Sequence, residues 1–176
     1  MFCQIEKVIS QTKHITQNLL QSQLPVDINA IKNGLQNIHL PGRIQIFPGA
    51  ITEIYDVSHN PQSARLLAET LNTIEKRKVH AVFSALKDKD IIGLILPLKD
   101  CVDYWYPAQL DNKRAAGADM LLALFKNEEI SVKICYNNPS VAFQTAFNRA
   151  EPGDLIVVYG SFFTVSHIRC MATMPN

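Results

Sequence analysis

Along residues 1–40 the apolar positions return at three- and four-residue steps. Ile5, Val8, Ile9, Thr12, Ile15 and Leu19 fall on one face of a helix at that spacing. Pro25 interrupts the pattern and Asp27 is placed to cap a second helix, whose stripe is Ile28, Ile31, Leu35 and Ile38. Leu40-Pro41-Gly42 stops it. Two short helices do not bury a core by themselves, so these require something to pack on. From Arg43 the period changes, and short apolar or β-branched runs alternate with helical stretches. Strands are predicted at 43–47, 51–57, 79–85, 102–106, 131–135 and 154–159, and helices at 61–73, 90–98, 117–127, 139–149 and 162–172. Such alternation predicts an α/β domain: a mostly parallel six-stranded sheet with helices on both faces, preceded by the two helices. The first two strands are joined only by Pro48-Gly49-Ala50, too short for a parallel crossover, so that pair is predicted to be antiparallel.

Composition narrows the class. Apolar residues make up 47% and charged residues 19%, so the chain folds around a core. A formal net charge of +1 argues against a nucleic-acid surface, and no apolar run reaches the length of a membrane span. The first ten residues carry Glu6 and Lys7 and lack the apolar centre of a signal peptide. Cys3, Cys101, Cys135 and Cys170 are widely spaced, which reads as reduced thiols in a cytoplasmic protein.

The chemistry gathers where strands end. In an open parallel sheet, ligands bind beyond the carboxyl ends of the strands. Asp56, Ser58, His59 and Asn60 follow the second strand, and Pro61 suits the first position of a helix. Asn60 reads as that helix's cap. Asp56 and His59 read either as a polar pair that closes the turn, or as an acceptor for ribose hydroxyls and a donor to a carboxylate or phosphate. Gly160 and Ser161 follow the last strand; Gly160 allows close backbone approach, and Ser161 either caps a helix or faces an anion there. Lys87, Asp88, Lys89 and Asp90 form a charged loop, and Asn112 and Arg114 precede a helix, with Arg114 either a surface charge or a fork for a carboxylate. The phosphate loop G-x-x-x-x-G-K-[ST], the G-x-G-x-x-G fingerprint and the G-x-S-x-G elbow do not occur, and His14, His39, His59, His80 and His167 lack zinc spacing.

In order along the chain, "LPGRIQIF", "IYDVSHNPQSARLLAETL", "KDKD", "DYWY", "DNKRAA" and "DLIVVYGSFFTVSHI" resemble the C-terminal domain of the bacterial dihydrofolate synthase/folylpolyglutamate synthases, a branch of the Mur ligase superfamily. The resemblance runs from about residue 24 to 172. It implies a Rossmann-like domain with one antiparallel strand, closing over ATP held by a separate P-loop domain. It also implies an ATP-dependent amide ligase, with Mg2+, that activates a carboxyl of dihydropteroate or folate as an acyl phosphate for attack by L-glutamate. Residues 1–40 would be the end of the large domain and a hinge, and 41–176 the glutamate ligase domain. By the same resemblance Arg43 reaches ATP phosphates, Asp56 holds the ribose, and His59 and Ser161 lie near glutamate. Arg114 is similar in placement to an amino-acid contact, and Lys89 matches a lysine of the charged loop. Ser58 stands where alanine is common, and Ser84-Ala85 where a glycine is frequent. The P-loop, the metal ligands and most of the pterin site are implied to lie outside this sequence, so the chain alone would not ligate. Two other readings stay open: a free-standing Rossmann-like nucleotide- or partner-binding module, and a hydrolase using Asp56, His59 and Ser161 as a triad.

Overall fold

The computed structural model describes residues 42–172, with side chains as far as Arg169, together with Asp27, Asn29 and Ala30. The two N-terminal apolar stripes and Cys3 lie outside the described residues, as does the side chain of Cys170. Asp27 does cap a helical turn, accepting from the Ala30 amide at 2.7 Å. The chain divides between Leu40 and Pro41 into two units.

The second unit holds five strands and five helices: β1 Gln45–Phe47, β2 Thr52–Tyr55, α1 Pro61–Thr73, β3 Val79–Phe83, α2 Ile91–Ile95, β4 Tyr104–Pro107, α3 Ala118–Asn127, α4 Pro139–Arg149, β5 Leu155–Tyr159 and α5 Phe162–Ala172. The sheet order is β1-β2-β5-β3-β4. Only the β1–β2 pair is antiparallel, with Gln45 opposite Tyr55, as the short link requires; the other pairs are parallel. The α/β class with a single antiparallel strand is therefore as read from the sequence.

The strand count is a correction. Residues 131–135 do not form a sixth strand; that segment meets the sheet only at Tyr136, beside Ala108. The reason lies in β4. The Tyr136 amide donates to the Pro107 carbonyl at 2.8 Å, and the Gln109 amide donates to the Tyr136 carbonyl at 2.9 Å. Pro107 has no amide hydrogen, so the ladder cannot continue back along the segment, and Ile134 is left exposed. The helix predicted at 90–98 is also altered: α2 ends at Ile95 and tightens to a 3-10 helix over Leu96–Cys101, because Pro97 withholds an α-helical donor.

Side chains of the central strands alternate between two cores. Leu155, Val157 and Tyr159 of β5 and Ala81 and Phe83 of β3 pack with Leu67 and Leu71 of α1, Leu94 of α2 and Phe125 of α3. Ile156, Val158 and Val82 face Ala142 and Ala146 of α4 and Val165 and Ile168 of α5. Strands buried on both faces explain why β3 and β5 read as continuous apolar runs.

One polar group interrupts the second core. His80 of β3 is buried, with Nδ1 3.0 Å from Tyr106 Oη and Nε2 3.3 Å from Asp154 Oδ2. A neutral ring satisfies both partners, with Nε2–H donating to the carboxylate and Nδ1 accepting from the phenol. Burial lowers the His80 pKa, and this outweighs the raising effect of Asp154. For Asp154, burial would raise the carboxyl, but the Glu151 amide and His80 hold it below the ordinary range. Both shifts have one sign: on acidification the unfolded chain takes up protons that the folded chain refuses. Stability is therefore expected to fall as pH drops below about 6.5, the ordinary histidine value. Melting followed from pH 8 to pH 5 checks it, and His80→Phe, which removes the titrating ring nitrogens, should flatten the curve near pH 6.

Candidate functional site

Because β2, β5, β3 and β4 run parallel, their carboxyl ends share one edge, and the residue before β1 returns to that edge through the antiparallel pairing. On the β2 tip, Pro61 opens α1 and Asn60 caps it. Asn60 Oδ1 accepts from the Ser63 amide at 2.9 Å, while Ser63 Oγ accepts from the Asn60 amide at 3.4 Å. This is a reciprocal cap. Asn60→Ala is expected to destabilise the fold by about 1 kcal/mol in chemical denaturation.

Asp56 sits just before this cap and is buried. Its Oδ2 accepts from the Ile44 amide at 2.8 Å, and its Oδ1 accepts from the Ser58 amide at 2.8 Å and from the Ser58 hydroxyl. The carboxylate thus ties the turn ahead of β1 to the end of β2. That turn is unusual. Gly42 has φ +71° and Ile44 has φ +44°. A β-branched residue in the left-handed region is strained by about 1–3 kcal/mol. Gly42 is needed for a second reason, since a Cβ there would meet Val57 Cγ1 at 2.8 Å. The Val57 amide closes the turn on the Gly42 carbonyl at 2.7 Å. Between these two residues Arg43 is exposed, and its guanidinium makes no hydrogen bond or ion pair among the described residues. The strand predicted from Arg43 accordingly starts at Gln45, because Ile44 is not extended.

His59 is half-buried, with Nδ1 3.0 Å from the Val57 carbonyl and its ring 6.1 Å from that of Phe162. A carbonyl only accepts, so Nδ1 carries the hydrogen and Nε2 of the neutral ring is an acceptor. The neutral side chain therefore does not donate to a carboxylate, contrary to one sequence expectation; Nε2 takes a hydrogen instead. On the β5 tip, Ser161 is buried and caps α5. Its Oγ accepts from the Thr164 amide at 3.0 Å and lies 2.8 Å from Thr164 Oγ1, which in turn donates to the Ser84 carbonyl at 3.3 Å. Thr164 and Ser84 join the β5 and β3 tips, a role without a sequence signal of its own. Gly160, with φ +111°, brings the two backbones together: a Cβ there would fall 2.2 Å from the Ser84 carbonyl oxygen. Asp56, His59 and Ser161 do not form a relay. Neither Asp56 oxygen bonds to His59, and the Ser161 hydroxyl is paired with Thr164. The triad reading fails on that geometry.

The β3 and β4 tips form a separate, braced pair of loops. Arg114 pairs with Asp88, the Lys87 amide donates to the Arg114 carbonyl at 2.8 Å, and the Ala116 amide donates to the Ala85 carbonyl at 2.9 Å. The Arg114 hydrogen bond holds the Asp88 carboxyl below its usual range. Arg114 is thus occupied within the chain. Lys89 is half-buried, and its amide closes a turn on the Leu86 carbonyl at 3.1 Å. Among the described residues no group of three or more His, Cys, Asp and Glu is gathered to hold a metal, no helix is long and apolar enough to cross a membrane, and Cys101 and Cys135 are free.

Comparison with known proteins bears on this arrangement. Residues 42–162 match the family model of the Mur ligase, glutamate ligase domain. The chain is 38% identical over 151 residues to the dihydrofolate synthase/folylpolyglutamate synthase of Escherichia coli K12, covering 85% of this chain and 35% of that relative. A crystal structure of a bifunctional folylpolyglutamate synthase/dihydrofolate synthase with Mn, AMPPNP and L-glutamate bound superposes with a TM-score of 0.77 at 36% identity, over 86% of this chain and 36% of that one. The Yersinia pestis CO92 enzyme superposes with a TM-score of 0.74, also at 36% identity and over the same shares of the two chains. The chain spans about a third of the length of the relatives it matches. With its strand order, its glycine-turned tips and this match over most of its length, the chain belongs to the Mur ligase glutamate ligase domain family.

Proposed function

We propose that this chain is the carboxyl-terminal part of an ATP-dependent ligase that joins L-glutamate to dihydropteroate or folate through an acyl phosphate. Residues 41–176 form its glutamate ligase domain, and residues 1–40 come from the preceding P-loop domain and hinge. The observation that carries this is the single sheet edge bearing an unpaired arginine, an imidazole with a free acceptor nitrogen, and a capped helix start. ATP would supply the phosphoryl group that activates the carboxyl. Its Mg2+ finds no donor cluster among the described residues of this chain, so the metal ligands belong to the large domain.

Each residue then has a definite task. Arg43 brings a fixed positive charge to the phosphates from the side opposite the large domain. His59 Nε2 accepts a proton from the ammonium group of glutamate, freeing the amine to attack. The first amides of α5, which no helical carbonyl reaches, face the glutamate carboxylates, and Ser161 holds that helix start in shape. Lys89 adds charge at the nucleotide side, and Arg114 braces the neighbouring loops until it trades Asp88 for a substrate carboxylate. Meeting the other domain shields the acyl phosphate from water. Such a protein works in the cytoplasm.

Calorimetry of the 176-residue chain with ATP and with glutamate tests this assignment. A half-site binds ATP weakly when alone. Submicromolar binding by the isolated chain contradicts the ligase assignment and favours the free-standing module, for which the exposed Phe162 and Phe163 would be the partner surface. In a ligase carrying the domain, His59→Ala is expected to slow amide formation by about 100-fold while leaving phosphoryl transfer to the carboxyl intact. Separate assays of ADP release and amide product check it.

A further inference from the structure

We infer that Asp56 is the positioning residue for Arg43 and acts through Ile44, rather than as a ligand of the nucleotide ribose. This rests on the proposed phosphate role of Arg43 for its meaning, but not for its geometry. Three observations converge on it. The Asp56 carboxylate is buried and three donors of its own chain fill it, which leaves little acceptor capacity for a ribose. One of those donors is the amide of Ile44, which Asp56 holds at φ +44°. The residue so presented, Arg43, is exposed, lacks a side-chain partner among the described residues and is flanked on its other side by Gly42 at φ +71°.

The physical logic is preorganisation. An arginine on a free loop loses conformational entropy when it grips a phosphate. Two consecutive non-extended residues, clamped from β2 by the Val57 amide and the Asp56 carboxylate, remove that backbone freedom in advance. Without the clamp, Ile44 relaxes to negative φ, because a β-branched side chain disfavours the left-handed region. The first strand then extends toward Arg43 and turns its guanidinium away.

NMR of the full chain tests this directly. In the wild type, the Ile44 amide should exchange with solvent far more slowly than that of Arg43, and its intraresidue amide–Hα Overhauser effect should report positive φ. Exchange as fast as at Arg43 overturns the proposal without any variant. In Asp56→Asn, one acceptor oxygen must serve both sides of the turn, so the positive φ of Ile44 is expected to be lost, and Ile44→Gly in that background is expected to restore it. An unchanged Ile44 in Asp56→Asn overturns the proposal. Inorganic triphosphate, which has no ribose, supplies the functional readout: Asp56→Asn should weaken its binding about tenfold when Arg43 is present and not at all in Arg43→Ala. Equal weakening in both backgrounds would mean that Asp56 acts on the ligand, and sinks the inference. If the wild-type chain binds no triphosphate, the phosphate role of Arg43 falls, while the amide data still decide whether the clamp exists.

Discussion

In a ligase carrying this domain, Arg43→Ala is expected to lower amide formation by about 100- to 1,000-fold at saturating ATP, the usual effect of removing one preorganised donor from a site of developing charge. Three features of the chain lead to that magnitude. Arg43 is exposed with no partner to satisfy within the described residues, so its removal leaves the fold intact. The turn that carries it is held in strained backbone geometry, which is costly unless the side chain has a task. And the domain lacks a metal-donor cluster among the described residues, so its cationic contribution has to come from a side chain. The loss should fall on the rate more than on the apparent affinity for glutamate, because the charge is needed while the phosphoryl group moves. Arg43→Lys should recover only part of the rate, since an ammonium does not reproduce the guanidinium fork. Steady-state turnover with labelled glutamate checks both variants, and wild-type turnover in Arg43→Ala would remove the phosphate role.

Gly160→Ala is expected to destabilise the domain by about 3 kcal/mol, combining left-handed strain with the displacement of packed backbone. The melting temperature would fall by about 10 °C on the usual scaling for a domain of this size. The cause is local and severe: the added Cβ would lie 2.2 Å from the Ser84 carbonyl oxygen and 2.9 Å from Phe83 Cε2. Both neighbours are fixed, Ser84 by its place at the end of β3 and Phe83 by contact with Phe125 and Tyr159 in the first core. Relief requires parting β3 from β5, the centre of the sheet. Thermal unfolding followed by circular dichroism measures it, and an unchanged melting temperature would mean that the two tips are not in contact.

How much of this was legible beforehand depends on whether the signal is local. The antiparallel start followed from the three residues Pro48-Gly49-Ala50, and α1, α4 and α5 began and ended as their periodicity and caps dictate. The pairing of Asn with a following Pro marks both α1, at Asn60-Pro61, and α4, at Asn138-Pro139. The missing sixth strand was not legible from 131–135 itself, whose composition favours a strand. The block lies on the partner, where Pro107 lacks a donor, and pairing is a property of two segments. The site divides in the same way. The residue types at the strand ends stood out, but their orientations did not. Nothing in the string around Ile44 announces positive φ, since isoleucine is among the residues least suited to it. That the Asp56 carboxylate turns inward to Ile44 and Ser58, and that Arg114 is taken by Asp88, depend on contacts across 12 and 26 positions. The His80–Asp154 pair spans 74 positions and was equally hidden.

The central claim is that this edge is half of a catalytic centre, completed by a separate nucleotide-holding domain. Glutamate-dependent ADP release measures it most directly, in three samples: the purified chain, the N-terminal two-thirds of the Escherichia coli relative, and the two fused in the relative's order. The account predicts that only the fusion releases ADP, and only with glutamate and a dihydropteroate or folate acceptor present. Release by the chain alone, or a well-folded fusion that stays silent, would contradict it.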